Sequence, residues 1–289
     1  MHYEGALYRP PSESQSLLVQ LTTGCSYNRC TYCAMYQDVQ FRVKPLDEVL
    51  ADIKEGALYR FRRVFLCDGD ALITPQNQLV EVLKAVREHM PWTERVGIYG
   101  DTRSILKRKV EDLMTLRNLG LGIIYHGIET GDDVTLKAIR KGATAKQIVT
   151  AGQRVREAGI TYSAIVMLGI AGRSRSQEHA AATAEVLNAI QPEFIGVLTT
   201  MVVEGTPLSG DVDAGRFRMP SRLGLLEELH GLLSALDVRK GLLTTQHASN
   251  YLPLRVVLPY EKEQAMELLK DLIDRQDTST LRPDCARDL

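Results

Sequence analysis

No apolar run in this chain of 289 residues reaches the roughly 20 residues that a membrane-spanning helix needs. A charge excess is also missing: Lys+Arg 35 stand against Asp+Glu 36, a net charge of -1. That argues against a long phosphate-tracking surface and leaves room only for local basic patches. The opening Met1-His2-Tyr3-Glu4 has neither a basic n-region nor an apolar h-region, so it does not read as a signal peptide, and the expected compartment is the cytoplasm. Low-complexity segments and long linkers are absent too. Hydrophobic residues at 44% and charged residues at 25% exclude intrinsic disorder. Cysteine is scarce and odd in number, at five. A chain this long buries enough surface to need no disulfide staples. Yet three of the five cysteines crowd into nine residues. In a reducing compartment such clustering points to metal or redox chemistry.

What is present is a regular alternation of strand-like and helix-like segments. Short apolar runs at Leu17–Leu21, Val64–Cys67, Arg95–Tyr99, Leu121–Tyr125, Tyr162–Leu168 and Phe194–Leu198 read as strands. Helical patterns follow them: from Pro45, over Pro75–His89, from about Leu106 to Leu119, from Thr144, and over Ser176–Ile190. Pro45 suits a first helical position, with Asp47 and Glu48 in the first turn, and Thr144 and Gln147 have capping-box spacing. Strand ends recur every 27 to 43 residues, near 24, 67, 100, 126, 168 and 199. That is the length of a βαβ unit and implies a parallel sheet, with the chemistry at the carboxyl ends of the strands. The expected organisation is a lead-in at 1–15, a partial (β/α)6 TIM-like barrel at 16–210, and a C-terminal α/β extension at 211–289 that closes the barrel. The extension carries helical patterns at Ser221–Leu236 and Glu261–Arg275 and a strand-like Leu242–Thr245.

The densest signal is Cys25-Ser26-Tyr27-Asn28-Arg29-Cys30-Thr31-Tyr32-Cys33, a CX4CX2C motif. Three thiolates on one loop suit three irons of a [4Fe-4S] cluster and leave the fourth iron open to a substrate. Zinc also favours thiolate, but a structural zinc site wants a fourth Cys or His at matching spacing, and no second CxxC exists. Tyr32 is placed to shield a cluster from water. Cys67 and Cys285 stand alone and read as core and tail residues.

At this motif the chain resembles the radical SAM superfamily. It is most like the branch that holds the elongator-type, methylthiotransferase-type and oxygen-independent coproporphyrinogen oxidase-type enzymes. The loop is one residue longer between its first two cysteines than the superfamily's usual CX3CX2C. The resemblance implies a cluster held by Cys25, Cys30 and Cys33. It further implies reductive cleavage of S-adenosylmethionine (SAM) to methionine and a 5′-deoxyadenosyl radical, with an external one-electron donor of flavodoxin or ferredoxin type.

The resemblance extends to the strand ends. Cys67-Asp68-Gly69-Asp70-Ala71 is similar to the family's Gly-Gly-Glu-Pro motif, which sets Gly69 and Asp70 at the SAM ammonium. His126-Gly127-Ile128-Glu129-Thr130-Gly131 is similar to its Gly-Ile-Glu-Ser-Gly stretch, which sets Glu129 at the ribose hydroxyls. Lys141, or Arg140 beside it, would meet the SAM carboxylate. The segment from Ser163 to Gly172 resembles the fifth-strand glycine motif that flanks the adenine, and Val197, Leu198 and Thr199 would offer backbone groups to the adenine edge.

Substrate chemistry is less legible. His247, Asn250 and Tyr251 bring an imidazole, an amide and a phenol together after a strand-like segment, a mixture suited to orienting a polar small molecule. They are the candidate catalytic residues. No second cysteine triad is present for a second cluster, and there is no room on these residues for a corrinoid domain. A small-molecule substrate is expected. The alternatives are modification of RNA or a peptide, and a non-catalytic iron-sulfur or zinc protein.

Overall fold

The computed structural model describes residues 1–288. Ten strands and ten helices are described. They are β1 (Leu17–Gln20), β2 (Thr22–Thr23), β3 (Arg42–Val43), α1 (Leu46–Gly56), β4 (Arg63–Cys67), α2 (Gln76–His89), β5 (Arg95–Tyr99), α3 (Thr102–Leu106), α4 (Val110–Asn118) and β6 (Leu121–Glu129). The remainder are α5 (Asp133–Ala138), α6 (Ala145–Glu157), β7 (Thr161–Leu168), α7 (Ser176–Ile190), β8 (Phe194–Thr199), α8 (Pro207–Asp213), α9 (Arg222–Ala235), β9 (Gly241–Thr244), β10 (Arg255–Leu258) and α10 (Lys262–Asp274). The chain groups into two compact units, and β6, α6 and β7 each contribute residues to both.

The first unit comprises residues 1–28, 35–126 and 150–162. Its strands β1, β4, β5 and β6 lie side by side and parallel, with Leu17 opposite Val64 and Val64 opposite Val96. Val64, Phe65, Leu66 and Cys67 have no exposed surface, so β4 is covered on both faces. That is why its sequence is a continuous apolar run rather than an alternation. Helix α1 buries Val49 and Ile53, and α2 buries Leu79, Val82, Leu83 and Val86. A small ribbon of β2 against β3 flanks the cysteine loop.

The second unit comprises residues 29–34, 127–149 and 163–289. Here β7, β8 and β9 are parallel and β10 closes the row antiparallel to β9. Helix α9 packs between α7 and α10 and buries Leu225, Leu229, Leu232 and Leu233.

Three expectations from sequence change. The helix expected from about Leu106 to Leu119 starts at Val110, where Asp112 accepts from Lys109 N, and a separate short helix precedes it, α3, which Asp101 caps with a bond from Arg103 N at 2.9 Å. The fourth large strand runs to Glu129, three residues past the expected end, and Gly127 within it leaves the room that the Glu129 carboxylate takes. The strand-like segment near 242–245 gains a partner, β10, that the sequence reading left out.

Candidate functional site

In the first unit the chain leaves β1 and enters the cysteine loop at Cys25, which is half-buried. Gly69, just past β4, lies so close that a Cβ there would meet Cys25 Cβ and Tyr36 Cε2, both at 2.8 Å. Its N–H donates to Gly24 O at 3.2 Å. Any side chain at Gly69 would push the loop away, so glycine is required by close approach. Asp70 is fully buried. It accepts from Ser26 Oγ at 2.6 Å and from Asp101 N at 3.0 Å, and so ties the residue after Cys25 to the start of α3. Burial, with the Asp101 charge nearby, pushes its carboxyl up to about 6. Both oxygens of Asp70 thus hold the protein's own loops. Arg103, on α3, sits over the Tyr27 ring at 4.1 Å and clamps the same loop from a second element.

In the second unit the loop continues through Cys30 and Cys33, both half-buried. Thr31 between them donates its N–H to Ile139 O at 3.0 Å and accepts from Leu208 N at 2.9 Å. Tyr32, like Leu198, packs on the cluster of Ile139, Met167 and Ile170. Its hydroxyl donates to Glu129, and burial raises its ionisation well above the ordinary value. Tyr32, expected as a shield, is also a wedge that fixes the stretch carrying Cys30 and Cys33.

Glu129 ends β6 with φ 62, a left-handed conformation that is costly for a residue with a Cβ and that gathers at functional sites. Lys141 donates to Glu129 Oε1 at 2.9 Å, and both residues are buried. Arg140, also left-handed, turns the chain after α5 and stays exposed, so of the two basic candidates Lys141 is the one set on Glu129.

The other sequence candidates fall into two groups. Ser163 is buried near the start of β7, five residues before Leu168. At about 3.3 Å per residue that places it roughly 16 Å along the strand from the strand end. Leu198 and Thr199 end β8, but Val197 O accepts from Asn250 Nδ2 at 2.7 Å and Thr199 N donates to Ser249 Oγ at 3.1 Å. Two of the backbone groups expected at an adenine edge are therefore already paired. Asn250 is saturated: its Oδ1 accepts from Thr199 Oγ1 at 2.8 Å, and Nδ2 also reaches Thr245 O at 3.0 Å. The Tyr251 hydroxyl donates to Asp284 at 2.6 Å and accepts from Arg287 at 2.6 Å. Arg282 donates to the carbonyls of His247, Ala248 and Asn250, so the chain's last described residues strap this turn down. His247 differs from its neighbours. Its Nδ1 accepts from Ser249 N at 3.2 Å and pairs with Ser249 Oγ at 2.9 Å, while Nε2 takes no partner among the described residues. Burial and the Arg282 charge lower its pKa, which keeps a neutral ring with the proton on Nε2 at neutral pH. Beside the turn lies a cavity of about 10 Å³ lined by leucines, Thr199 and Tyr251, at the limit of what one water needs.

Sequence reasoning missed Ser26, Asp101 and Arg103, whose role comes only from contacts across elements. It also missed His179 and Glu228. Glu228 had a signal, since it falls on the apolar stripe of α9 with Leu225, Leu229 and Leu232.

The donor set fits an iron-sulfur cluster. It is three thiols on one loop, braced on either side, and all five cysteines of the chain are thiols. Among the described residues no three His, Cys, Asp or Glu side chains, the three loop thiols included, are grouped about a single-ion position. Within the second unit, the stretch with Cys30 and Cys33 is joined through Tyr32 to the left-handed Glu129 and its partner Lys141. The Radical SAM superfamily model matches residues 19–184, more than half of the sequence, and the chain belongs to this superfamily. Membership carries the superfamily's two cofactors, SAM and the [4Fe-4S] cluster that the three loop thiols suit.

The solved structures agree on fold. The radical SAM methyltransferase TsrM of Kitasatospora setae, with cobalamin and a [4Fe-4S] cluster bound, superposes with a TM-score of 0.58 at 16% identity, over 69% of this chain and 39% of its own. Coproporphyrinogen III oxidase of Escherichia coli gives 0.55 at 16% identity, over 76% and 52%. Elp3 of Methanocaldococcus infernus gives 0.54 at 14% identity, over 91% and 63%. At these identities the likeness is one of fold, the partial (β/α) barrel of the superfamily. A curated relative, an uncharacterised protein of Methanopyrus kandleri, is 25% identical over 144 residues, which cover 46% of this chain and 27% of that protein. The chain thus spans about a quarter of that relative's length and less than two thirds of each of these structures.

Proposed function

We propose that this enzyme cleaves SAM reductively and uses the resulting carbon radical to take a hydrogen atom from a small-molecule substrate. The observation that carries the reading is the braced CX4CX2C loop, with Tyr32 hydrogen-bonded to the strained Glu129 and Glu129 paired to Lys141. When bound, the cluster and SAM supply one-electron cleavage of the S–C5′ bond, with the electron coming from an external donor. Cys25, Cys30 and Cys33 hold three irons. Gly69 and Asp70 act on the loop that carries Cys25, Gly69 by leaving it room and Asp70 by holding Ser26. Glu129 accepts from the ribose hydroxyls and Lys141 donates to the SAM carboxylate. Both must re-pair when SAM arrives, which exchanges one charge-assisted contact for others. Leu198 and Thr199 flank the adenine. Tyr32 keeps water from Cys30 and Cys33. His247, with its proton on Nε2, is the residue of the 247–251 turn left to meet substrate, while Asn250 and Tyr251 hold that turn in place. The near-zero net charge supports a small substrate over a long polyanion.

The test is anaerobic reconstitution with iron and sulfide, then SAM and dithionite, with 5′-deoxyadenosine measured. Cys33→Ala is expected to lose product formation entirely. Cleavage of SAM by the Cys33→Ala protein would overturn the assignment.

A further inference from the structure

Behind the loops that leave β6 and β7 lies a buried polar chain that the proposed chemistry does not use. Thr130 directly follows Glu129, and its Oγ1 accepts from Asp132 N at 3.0 Å. The same oxygen meets His179 Nδ1, on α7, at 2.7 Å. His179 Nε2 lies 3.4 Å from Glu228 Oε1, on α9. Glu228 Oε1 accepts from Gly169 N at 2.6 Å, and Oε2 accepts from Ser176 Oγ at the start of α7. Thr130, His179 and Glu228 are each at most 3% exposed. Gly169 is the first residue after β7, with φ 78, and a Cβ there would meet Met219 Cε at 2.8 Å. Its N–H therefore has one fixed direction, and Glu228 is its acceptor.

The bonding pattern assigns the protons. An ionised Glu228 accepts from Gly169 N and Ser176 Oγ, and the nearness of His179 Nε2 to its Oε1 favours the ring proton on that nitrogen. His179 Nδ1 then accepts from the Thr130 hydroxyl, whose oxygen accepts from Asp132 N. A run of buried polar contacts thus joins the loop that carries Glu129 to the glycine loop after β7.

We propose that Glu228 and His179 are positioning residues for SAM: they lock the exits of β6 and β7, from a distance, in the arrangement that receives the nucleoside. This rests on the reading that those two exits hold SAM. A leucine-rich helix face gains nothing from a carboxylate unless its bonds do something, because burying it costs free energy. Here it collects two donors, one of them the backbone of a strand-end loop, and faces His179 Nε2.

The lock is also sensitive to pH. Burial pushes the Glu228 carboxyl up to about 7, with the Ser176 and Gly169 bonds opposing. Burial lowers His179 to about 4, so it stays neutral throughout the neutral range. The other charged groups near the chain are Asp132, held to about 2 against its burial by the Arg175 and Thr135 bonds, with Arg175 itself, and Glu178, 4.0 Å from Arg175. Asp132 and Arg175 keep their charges near pH 7. Protonating Glu228 removes the charge from its bonds to Gly169 and Ser176, and such bonds are about twice as strong as neutral ones.

The experiment measures SAM affinity of the reconstituted holoenzyme from pH 5.5 to 8.5, together with hydrogen exchange of residues 129–132 and 168–172 without SAM. Wild type is expected to bind several-fold more tightly at pH 8 than at pH 6. Glu228→Gln is expected to bind roughly tenfold more weakly at pH 8, with a flat profile, normal cluster content and faster exchange at Gly169. Ser176→Ala removes a bond that stabilises the ionised carboxyl, so its profile should shift to higher pH; it tests the same idea should Glu228→Gln fail to fold. Wild-type affinity and pH profile in both variants would overturn the proposal, even with altered exchange. If Glu129→Gln weakens SAM binding and Glu228→Gln does not, the SAM reading stands and the lock falls. If neither weakens it, both fall.

Discussion

Asp70 and Glu129 are both buried carboxylates at strand exits, yet the structure gives them different work. Asp70 spends both oxygens on Ser26 and Asp101, beside Cys25. Glu129 is paired to one lysine and one tyrosine, which a ligand can replace. Asp70→Ala is therefore expected to lower the iron and sulfide content after reconstitution. Glu129→Ala is expected to load its cluster normally and lose about 10- to 100-fold in SAM affinity, the worth of a charge-assisted bond at about 1.5–3 kcal/mol. Iron assay and equilibrium binding on the two variants separate these outcomes. The sequence marked both residues through one motif type. It could not show what each oxygen touches, because Ser26 and Asp101 lie 44 and 31 residues away from Asp70.

At the scale of elements, two side chains tie the second unit together. Asn250 joins the end of β8 to the turn after β9 through Val197, Thr199 and Thr245. Asn250→Ala strands those partners in a buried site and should cost about 2 kcal/mol or more, read as a lower denaturation midpoint. Glu228 on α9 has the opposite sign at high pH. Its folded pKa of about 7 lies above the usual 4.5. Between those values the folded protein keeps a proton that the unfolded chain has released. Stability therefore falls as pH rises from about 4.5 to 7, by on the order of 3 kcal/mol. Chemical denaturation at pH 5 and pH 8 should show this slope in wild type and a weaker one in Glu228→Gln. A strand or helix was legible wherever its period was clean. The break between α3 and α4 was not, because caps at Asp101 and Lys109 override a helical pattern that runs on through Leu119.

For the whole molecule, balanced charge makes a measurable difference. With a net charge of -1, binding to a nonspecific polyanion should be weak and lost at modest salt. Retention on an immobilised polyanion above about 0.3 M salt would favour an RNA substrate instead. No helix among the described residues is long and apolar enough to cross a membrane.

The sequence by itself determined the class of chemistry and the alternation of the fold. Both are local: three cysteines in nine residues need no tertiary information to announce a metal, and βαβ units show in the spacing of apolar runs. Only the tertiary structure decided which polar groups are already paired and which stay open to a ligand. It took Asn250, Tyr251, Val197 O and Thr199 N into the protein's own network and left His247 Nε2 out of it. It seated Lys141 rather than Arg140 on Glu129, and it joined His179 to Glu228 across 49 residues. Hydrogen bonds are short-ranged and directional, so their partners follow from where helices and strands come to rest, which no one-dimensional spacing encodes.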